Sequence, residues 1–363
     1  LAIKRDHIHA LINLGVIALK REQGQIAIDY FTKALVIDID HVEARNNLAA
    51  TFIHYDRFEN ALMHYDVLLK QDPLNIEYLY NTGVAQMSLG HLTEATRHFE
   101  TLLEQEHHHF AALNNLAAIA IRMERRDEAV SFLQRALAAN PTDTATQFML
   151  RAFVGGEESP HACPDYVNHL FNNYALYYDQ HMQGILGYSL PEHLYRILHQ
   201  QGCVRVNDTI DLGCGTGLCG PVLREVSERL IGLDIAPKML AQAKSKKIYD
   251  ELIEAEAISF LSHDTHFYNL AVAADVLPYL GELHTFISLV FKHMVKNGLF
   301  IFTHEISEQE PFRLQSNARF CHHPDYVKTL CEQVGFNMIY QEKVIARQQN
   351  QLALPVMLWV MQA

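Results

Sequence analysis

Ala27, Ala61, Ala95 and Ala129 stand 34 residues apart, and Phe31, Tyr65, Phe99 and Leu133 follow them by four. Three further on come Ala34, Leu68, Leu102 and Ala136. Earlier in each unit lie Leu14-Gly15, Leu48-Ala49, Thr82-Gly83 and Leu116-Ala117; Pro73 and Pro141 close the second and fourth units. Small residues let two antiparallel helices approach closely, and the larger side chain fills the groove between them. One such pair cannot bury its apolar face alone, so pairs stack. The spacing therefore predicts four helical pairs over about residues 8–141, forming a short right-handed solenoid. A generic helical bundle has no reason to repeat four times at one period. His107, His108 and His109 fall at the turn closing the third unit. Three adjacent imidazoles cannot all face one metal from a regular element, so a solvated turn is expected there.

This period, with its small–aromatic–small pattern, resembles the tetratricopeptide repeat. The resemblance implies an all-α solenoid of four repeats over 1–152 whose concave face holds a peptide or partner protein. No chemistry follows from such a fold alone.

The chain has 363 residues, about two domain lengths, and is 49% hydrophobic and 20% charged. That composition supports packed cores. Both halves are acidic, net −5 over 1–152 and −8 over 153–363, so no nucleic-acid partner is expected. The six cysteines form no CxxC pair and read as reduced thiols of a cytoplasmic protein. No apolar run is long enough for a membrane span, and no secretory leader is visible.

Gly155-Gly-Glu-Glu-Ser-Pro160 lacks apolar periodicity and marks a linker over 153–164. From Asp165 to Asp179, apolar residues at 167, 170, 171, 174, 175 and 178 keep helical spacing. Pro191 opens a further helix to about Gln200. A helical cap over 165–204 is expected.

Residues 209–217 read Thr-Ile-Asp-Leu-Gly-Cys-Gly-Thr-Gly, with an apolar strand entering and a helical pattern leaving. Strand, glycine-rich turn and helix together suit a cofactor loop. Glycine lets backbone reach a ligand where a Cβ would clash. A second strand ends in Asp234, 17 residues after Gly217, where a carboxylate can accept both hydroxyls of a ribose. Gly215, Gly217 and Gly220 also fit the dinucleotide pattern GxGxxG. Against a dinucleotide stands Asp211, whose charge would repel a pyrophosphate and suits an ammonium group. That register also leaves Gly213 unexplained.

Asp211-Leu-Gly-Cys-Gly-Thr-Gly217 resembles the first motif of class I S-adenosylmethionine-dependent methyltransferases, and Gly232-Leu-Asp-Ile-Ala-Pro-Lys-Met239 resembles the second. The resemblance covers about 205–363. It implies a Rossmann-like α/β fold with a seven-stranded, mostly parallel sheet and a C-terminal antiparallel hairpin (336–347 and 352–361). It implies that Asp211, Gly213, Cys214, Gly215 and Gly217 hold the methionine end of the cofactor, and that Asp234, with Ile235 and Met239 of the same motif, holds the ribose. Glu256 and Ala257, after the third strand, would read adenine, where the family more often has Asp. Asp275 and Val276, ending the fourth strand, would line the pocket. Phe171, Ala175 and Tyr178-Asp179 resemble the cap of small-molecule methyltransferases, with Tyr178 on the cofactor. The order of repeats then methyltransferase resembles a bacterial family of tetratricopeptide-containing methyltransferases. Leu186-Gly-Tyr188-Ser-Leu-Pro191, Asp275-Val-Leu-Pro-Tyr-Leu-Gly281 and Arg319-Phe-Cys-His322-His-Pro-Asp-Tyr326 fit that pattern.

Methyl transfer from a sulfonium is an in-line displacement, so the protein chiefly positions the nucleophile and excludes water. An acceptor O or N that must lose a proton calls for a base near neutral pKa. His304, after the fifth strand, and His322 are the candidates. Tyr178, Tyr188 and Tyr279 suit either an acceptor pocket or core packing. No ligand spacing suggests a metal. The expected activity uses S-adenosylmethionine, releases S-adenosylhomocysteine, and methylates a small molecule, a carrier-bound acid or a protein that the repeats recruit. The alternatives are an interaction protein with a silent, cofactor-sensing domain, and, weakest, a dinucleotide oxidoreductase.

Overall fold

The computed structural model describes residues 6–123, 125–154, 162–172, 174–202, 205–308, 311–315, 317–349 and 352–363. Contacts divide the chain into two units, Leu1–Thr142 and Asp143–Ala363.

The first unit is a run of helices: Asp6–Lys20 with Gly24–Ile37, Val42–His54 with Phe58–Gln71, Ile76–Ser88 with Leu92–Gln105, and Phe110–Arg122 with Arg126–Ala139. Each second helix starts 34 residues after the last. The four alanines of the period and the residues four beyond them are all 0% exposed. The small residue in the first helix of a pair has a steric reason. A Cβ on Gly15 would stand 2.5 Å from the Phe31 ring, and one on Gly83 would stand 2.6 Å from Phe99. The turns repeat too. His41, Asn75 and His109 each cap a helix by accepting from the amide three residues on. His109, in the triple-histidine turn, is thus a helix cap; its neighbour His107 hydrogen-bonds the carbonyl of Leu103 through Nδ1.

The second unit holds a nine-stranded sheet. Five parallel strands run β1 Val206–Leu212, β2 Ser227–Asp234, β3 Glu251–Glu254, β4 Tyr268–Ala273 and β5 Met294–Ile306, in the spatial order β3-β2-β1-β4-β5. Two short strands, β6 Phe312–Leu314 and β7 Phe320–His322, pair with each other, and β7 adds to Glu305 and Ile306 of β5. The hairpin β8 Asn337–Gln349 and β9 Leu352–Gln362 closes the sheet, β9 running antiparallel to β5. The seven expected strands are all here; β6 and β7 are additional. Three-residue strands carry no readable alternation, and these two extend the sheet past the end of β4.

Apolar clusters cover both faces. Phe286, Phe300, Phe302, Phe336 and Trp359 lie in one. Leu194, Ile197, Leu223 and Ile301 lie in the other, with Tyr188. Both faces of the parallel strands are therefore buried, as parallel sheets require. The linker residues 155–160 lie outside the described residues. Ahead of β1 come the helices Thr144–Val154, Pro164–Asn172 and Ala175–Asp179, a π-helical turn Gln180–Ile185, and the helix Leu190–Gln200.

Candidate cofactor cleft

The turn after β1 is held by the strand beside it. Cys214 N–H donates to the carbonyl of Leu233 at 2.9 Å, and Gly217 N–H to that of Cys214 at 2.8 Å. Gly213, Gly215 and Gly217 all have positive φ, where a side chain is strained. Their surroundings differ. A Cβ on Gly213 would stand 2.4 Å from Val276, but one on Gly215 meets nothing within 4 Å. Gly215 thus presents bare backbone to open space. Tyr178, Tyr188, Asp211, Gly213, Cys214, Gly215, Thr216, Leu218, Cys219 and Ala274 border this space, a cleft open to solvent.

The remaining glycines serve one side chain, Tyr249. A Cβ on Gly217, Gly220 or Gly232 would approach its ring or hydroxyl to 2.9 Å. The third glycine of the dinucleotide-like pattern therefore makes room for a tyrosine. That phenol donates to Asp211 Oδ2 at 2.7 Å. Sequence reasoning missed Tyr249, because nothing in Ile248-Tyr-Asp250 announces a partner for the glycines.

Two carboxylates flank the turn. Asp211 is 2% exposed, and burial pushes its pKa up to about 7, against the pull of the Tyr249 hydrogen bond and with a push from Asp234. Asp234 accepts from Gly215 N–H and Ala236 N–H, each at 2.8 Å. Burial still lifts it to about 6. A carboxylate has about four acceptor sites, so Asp234 pins the turn and keeps capacity for a hydroxyl. Two buried carboxylates whose charge is disfavoured, beside open backbone, fit a ligand bearing one cation and a diol.

The other expected residues fall as follows. Met239 is buried in a small cluster with Ala175 and Ala236, against Phe171 and Tyr178, and Ile235 is half-buried. Glu256 caps the helix Ala257–His263, its oxygens accepting from Ile258 and Ser259 at 2.9 and 2.7 Å. Asp275 carries a positive φ and faces arginines: Arg319 Nη2 and Arg347 Nη1 each donate to it at 2.6 Å. They hold its carboxyl below the usual range despite burial. Positive φ at a non-glycine residue is strained backbone of the sort that collects at functional sites.

His304 and His322 do not border the cleft. Both are 0% exposed, His304 stacked on Trp359 and His322 on Tyr326. Burial presses their pKa values down to about 3 and about 4. Imidazoles so buried stay neutral and are weak bases. The cap is tied across the turn instead: Thr216 Oγ1 donates to Asp179, whose other oxygen pairs with Lys246 at 2.6 Å. Among the described residues, His9, His41 and Glu43 are the cluster with metal-ligating atoms within 4.8 Å of one another. His41 Nδ1 is already taken by the Ala44 amide.

Comparison with known proteins adds the following. Residues 210–302 match the family described as methyltransferase domain, and residues 86–152 the family described as tetratricopeptide repeat. A malonyl-[acyl-carrier protein] O-methyltransferase of Hamiltonella defensa subsp. Acyrthosiphon pisum (strain 5AT) is 30% identical over 96 residues. That match covers 25% of this chain and 37% of the relative. Among solved structures, the N-methyltransferase NodS of Bradyrhizobium japonicum WM9 with S-adenosyl-L-homocysteine aligns with TM-score 0.40 and 16% identity, over 47% of this chain and 84% of that one. Magnesium protoporphyrin IX methyltransferase of Synechocystis PCC 6803, with S-adenosylmethionine bound, aligns with TM-score 0.38 and 15% identity, over 60% and 91%.

Proposed function

We propose that this chain, whose residues 86–152 match the tetratricopeptide repeat and residues 210–302 the methyltransferase domain, transfers a methyl group from S-adenosylmethionine to an O or N acceptor on a small molecule, a carrier-bound acid or a protein. The observation that carries this reading is the turn at Gly215, open to a cleft and flanked by the buried carboxylates Asp211 and Asp234. The cofactor supplies a methyl already activated on a sulfonium. Asp211, stripped of solvent, gains most from an ammonium group. Asp234 offers its spare acceptor sites to the ribose, and Glu256 with Ala257 would read the adenine. Asp179 and Thr216 hold the cap across the turn and keep water out. Tyr178 and Tyr188 border the same cleft; Tyr178 would touch the cofactor and Tyr188 the acceptor. Such a cleft positions reactants, which is the larger part of catalysis when the donor is preactivated. The repeats recruit the acceptor or its carrier.

Calorimetry with S-adenosylhomocysteine tests the donor site. One molecule bound per chain is expected, and loss of the heat signal in Asp211→Ala. A flat titration of wild-type protein sinks the reading. Transfer of labelled methyl from S-adenosylmethionine into a heat-treated lysate tests the reaction itself.

A further inference from the structure

Four charged side chains meet at the carboxyl ends of β4 and β5: Asp275, Glu305, Arg319 and Arg347, each no more than 12% exposed. Arg319 is well supplied with acceptors. Its Nε donates to Glu305 at 2.6 Å, Nη1 to the Tyr279 hydroxyl at 2.7 Å and Nη2 to Asp275 at 2.6 Å. Arg347 is not. It is 6% exposed, yet among the described residues it has one acceptor in hydrogen-bond reach, Asp275 Oδ2 at 2.6 Å. Glu305 stands off at 3.9 Å. A guanidinium has five N–H donors, and among the described residues no Arg347 nitrogen is a fully buried atom without a partner, so the donors that Asp275 does not take still reach open space.

The location of Arg347 gives those donors a use. Ser189 N–H donates to the carbonyl of Ala346, and Gln348 N–H to that of Leu186, so the chain around Tyr188 is stitched to both sides of Arg347. Tyr188 borders the cleft, as does Ala274, the residue before Asp275. Arg347 therefore stands directly behind Tyr188 and Ala274, beside the cleft rather than in its lining.

We propose that Arg347 is the specificity determinant for the acceptor, that it recognises a carboxylate, and that this carboxylate is the group methylated. The inference rests on the methyltransferase reading and narrows its substrate class. In the step, one carboxylate oxygen gives an electron pair to the methyl carbon. The C–O bond forms as the C–S bond breaks, sulfur keeps the bonding pair, and a neutral ester and a thioether result. No proton moves. Cleft chemistry agrees: burial holds the Tyr178 and Tyr188 phenols and the Cys219 thiol protonated, and a carboxylate arrives as a nucleophile without a base. Arg347 orients it with a fork matched to its two oxygens.

The full-length protein is incubated with methyl-labelled S-adenosylmethionine and a heat-treated lysate, and the products are treated with mild alkali. Carboxyl methyl esters release the label as volatile methanol; N-methyl, ether and phosphate methyl groups keep it. Volatile label is expected. Arg347→Gln is expected to raise KM for the lysate acceptor about 10- to 100-fold, the loss of one charge-assisted contact, with Arg347→Lys in between. S-adenosylhomocysteine affinity of both variants serves as the folding control and is expected within about twofold of wild type. If Arg347→Gln does not fold, Arg347→Lys carries the test. Alkali-stable label overturns the inference and leaves the methyltransferase reading standing. A folded Arg347 variant with unchanged KM makes the arginine structural and overturns it too. No transferred label, with S-adenosylhomocysteine tightly bound, removes both.

Discussion

Gly213 and Gly215 share a positive φ and differ in what surrounds them. The difference separates folding from binding. Gly213→Ala drives a Cβ to 2.4 Å from Val276 and is expected to destabilise the second unit by roughly 2 kcal/mol or more. Gly215→Ala carries backbone strain of about 1 kcal/mol but meets no atom, so it folds and loses S-adenosylhomocysteine. Melting curves and calorimetry on the two variants check this; equal losses of stability would refute the assignment. Asp211 gives a second case at this scale. Its folded pKa, about 7, lies above its ordinary value of 3.8. The native state then binds more protons than the unfolded chain between those values, so this group's contribution to stability falls as pH rises from about 4 to 7. Asp211→Asn removes that penalty and still accepts from Tyr249. It is expected to raise the melting temperature of ligand-free protein at pH 8 and to abolish cofactor binding, a gain in stability at the expense of function. A lower melting temperature at pH 8 counts against the burial argument. Both residues were legible in the sequence because strand, turn and helix left one place for them. Tyr249 was not, since the glycines that receive it come from three separate segments.

Among the elements, the helical pairs were the most legible. A weak signal repeated four times at one period is strong, and the steric demand behind it is local to each pair. Gly83→Ala tests that demand. Alanine favours a helix by about 1 kcal/mol over glycine, but its Cβ would stand 2.6 Å from the Phe99 ring. Net destabilisation of the first unit by roughly 1–2 kcal/mol is expected, with S-adenosylhomocysteine affinity unchanged; a stabilised array would show that the ring yields freely. The two strands flanking the glycine turn were legible as apolar runs of strand length, while the other three parallel strands and the closing hairpin were reached through the resemblance to methyltransferases. The short β6–β7 pair was not, nor was the charged quartet beside it. Asp275, Glu305, Arg319 and Arg347 come from four segments up to 72 residues apart, and the sheet order alone unites them. Nothing in the stretch Val344-Ile-Ala-Arg-Gln marks Arg347 beyond its being a lone charge there. The cap tie is equally a product of topology. Thr216→Val removes its hydroxyl donor to Asp179, and faster amide exchange over 174–189 is expected in the ligand-free protein. Unchanged exchange there would mean that Lys246 and the apolar contacts of Met239 hold the cap without it.

Across the second unit, the buried titratable groups oppose one another. Asp211 and Asp234, raised to about 7 and about 6, favour the fold as pH falls from neutral toward 4. His304 and His322, depressed to about 3 and about 4, do the reverse. Below the ordinary histidine pKa of 6.5 the unfolded chain gains protons that the buried rings refuse, so their contribution is lost as pH falls toward those depressed values. His64 and His98 of the first unit are lowered by burial too, so the two-against-two balance over about pH 4 to 6.5 applies to the second unit, whose stability without ligand is expected to be nearly flat in that window. Removing one side exposes the other. Asp211→Asn should make the protein grow more stable as pH rises from 4.5 to 6.5. Saturating S-adenosylhomocysteine should do the same to wild type, because an ammonium group at Asp211 keeps it ionised. Urea unfolding at half-unit pH steps, read for wild type, wild type with ligand, and Asp211→Asn, decides the matter. Parallel slopes in all three would show that the carboxylates at the glycine turn are not coupled to the ligand, and the donor site would have to be sought elsewhere.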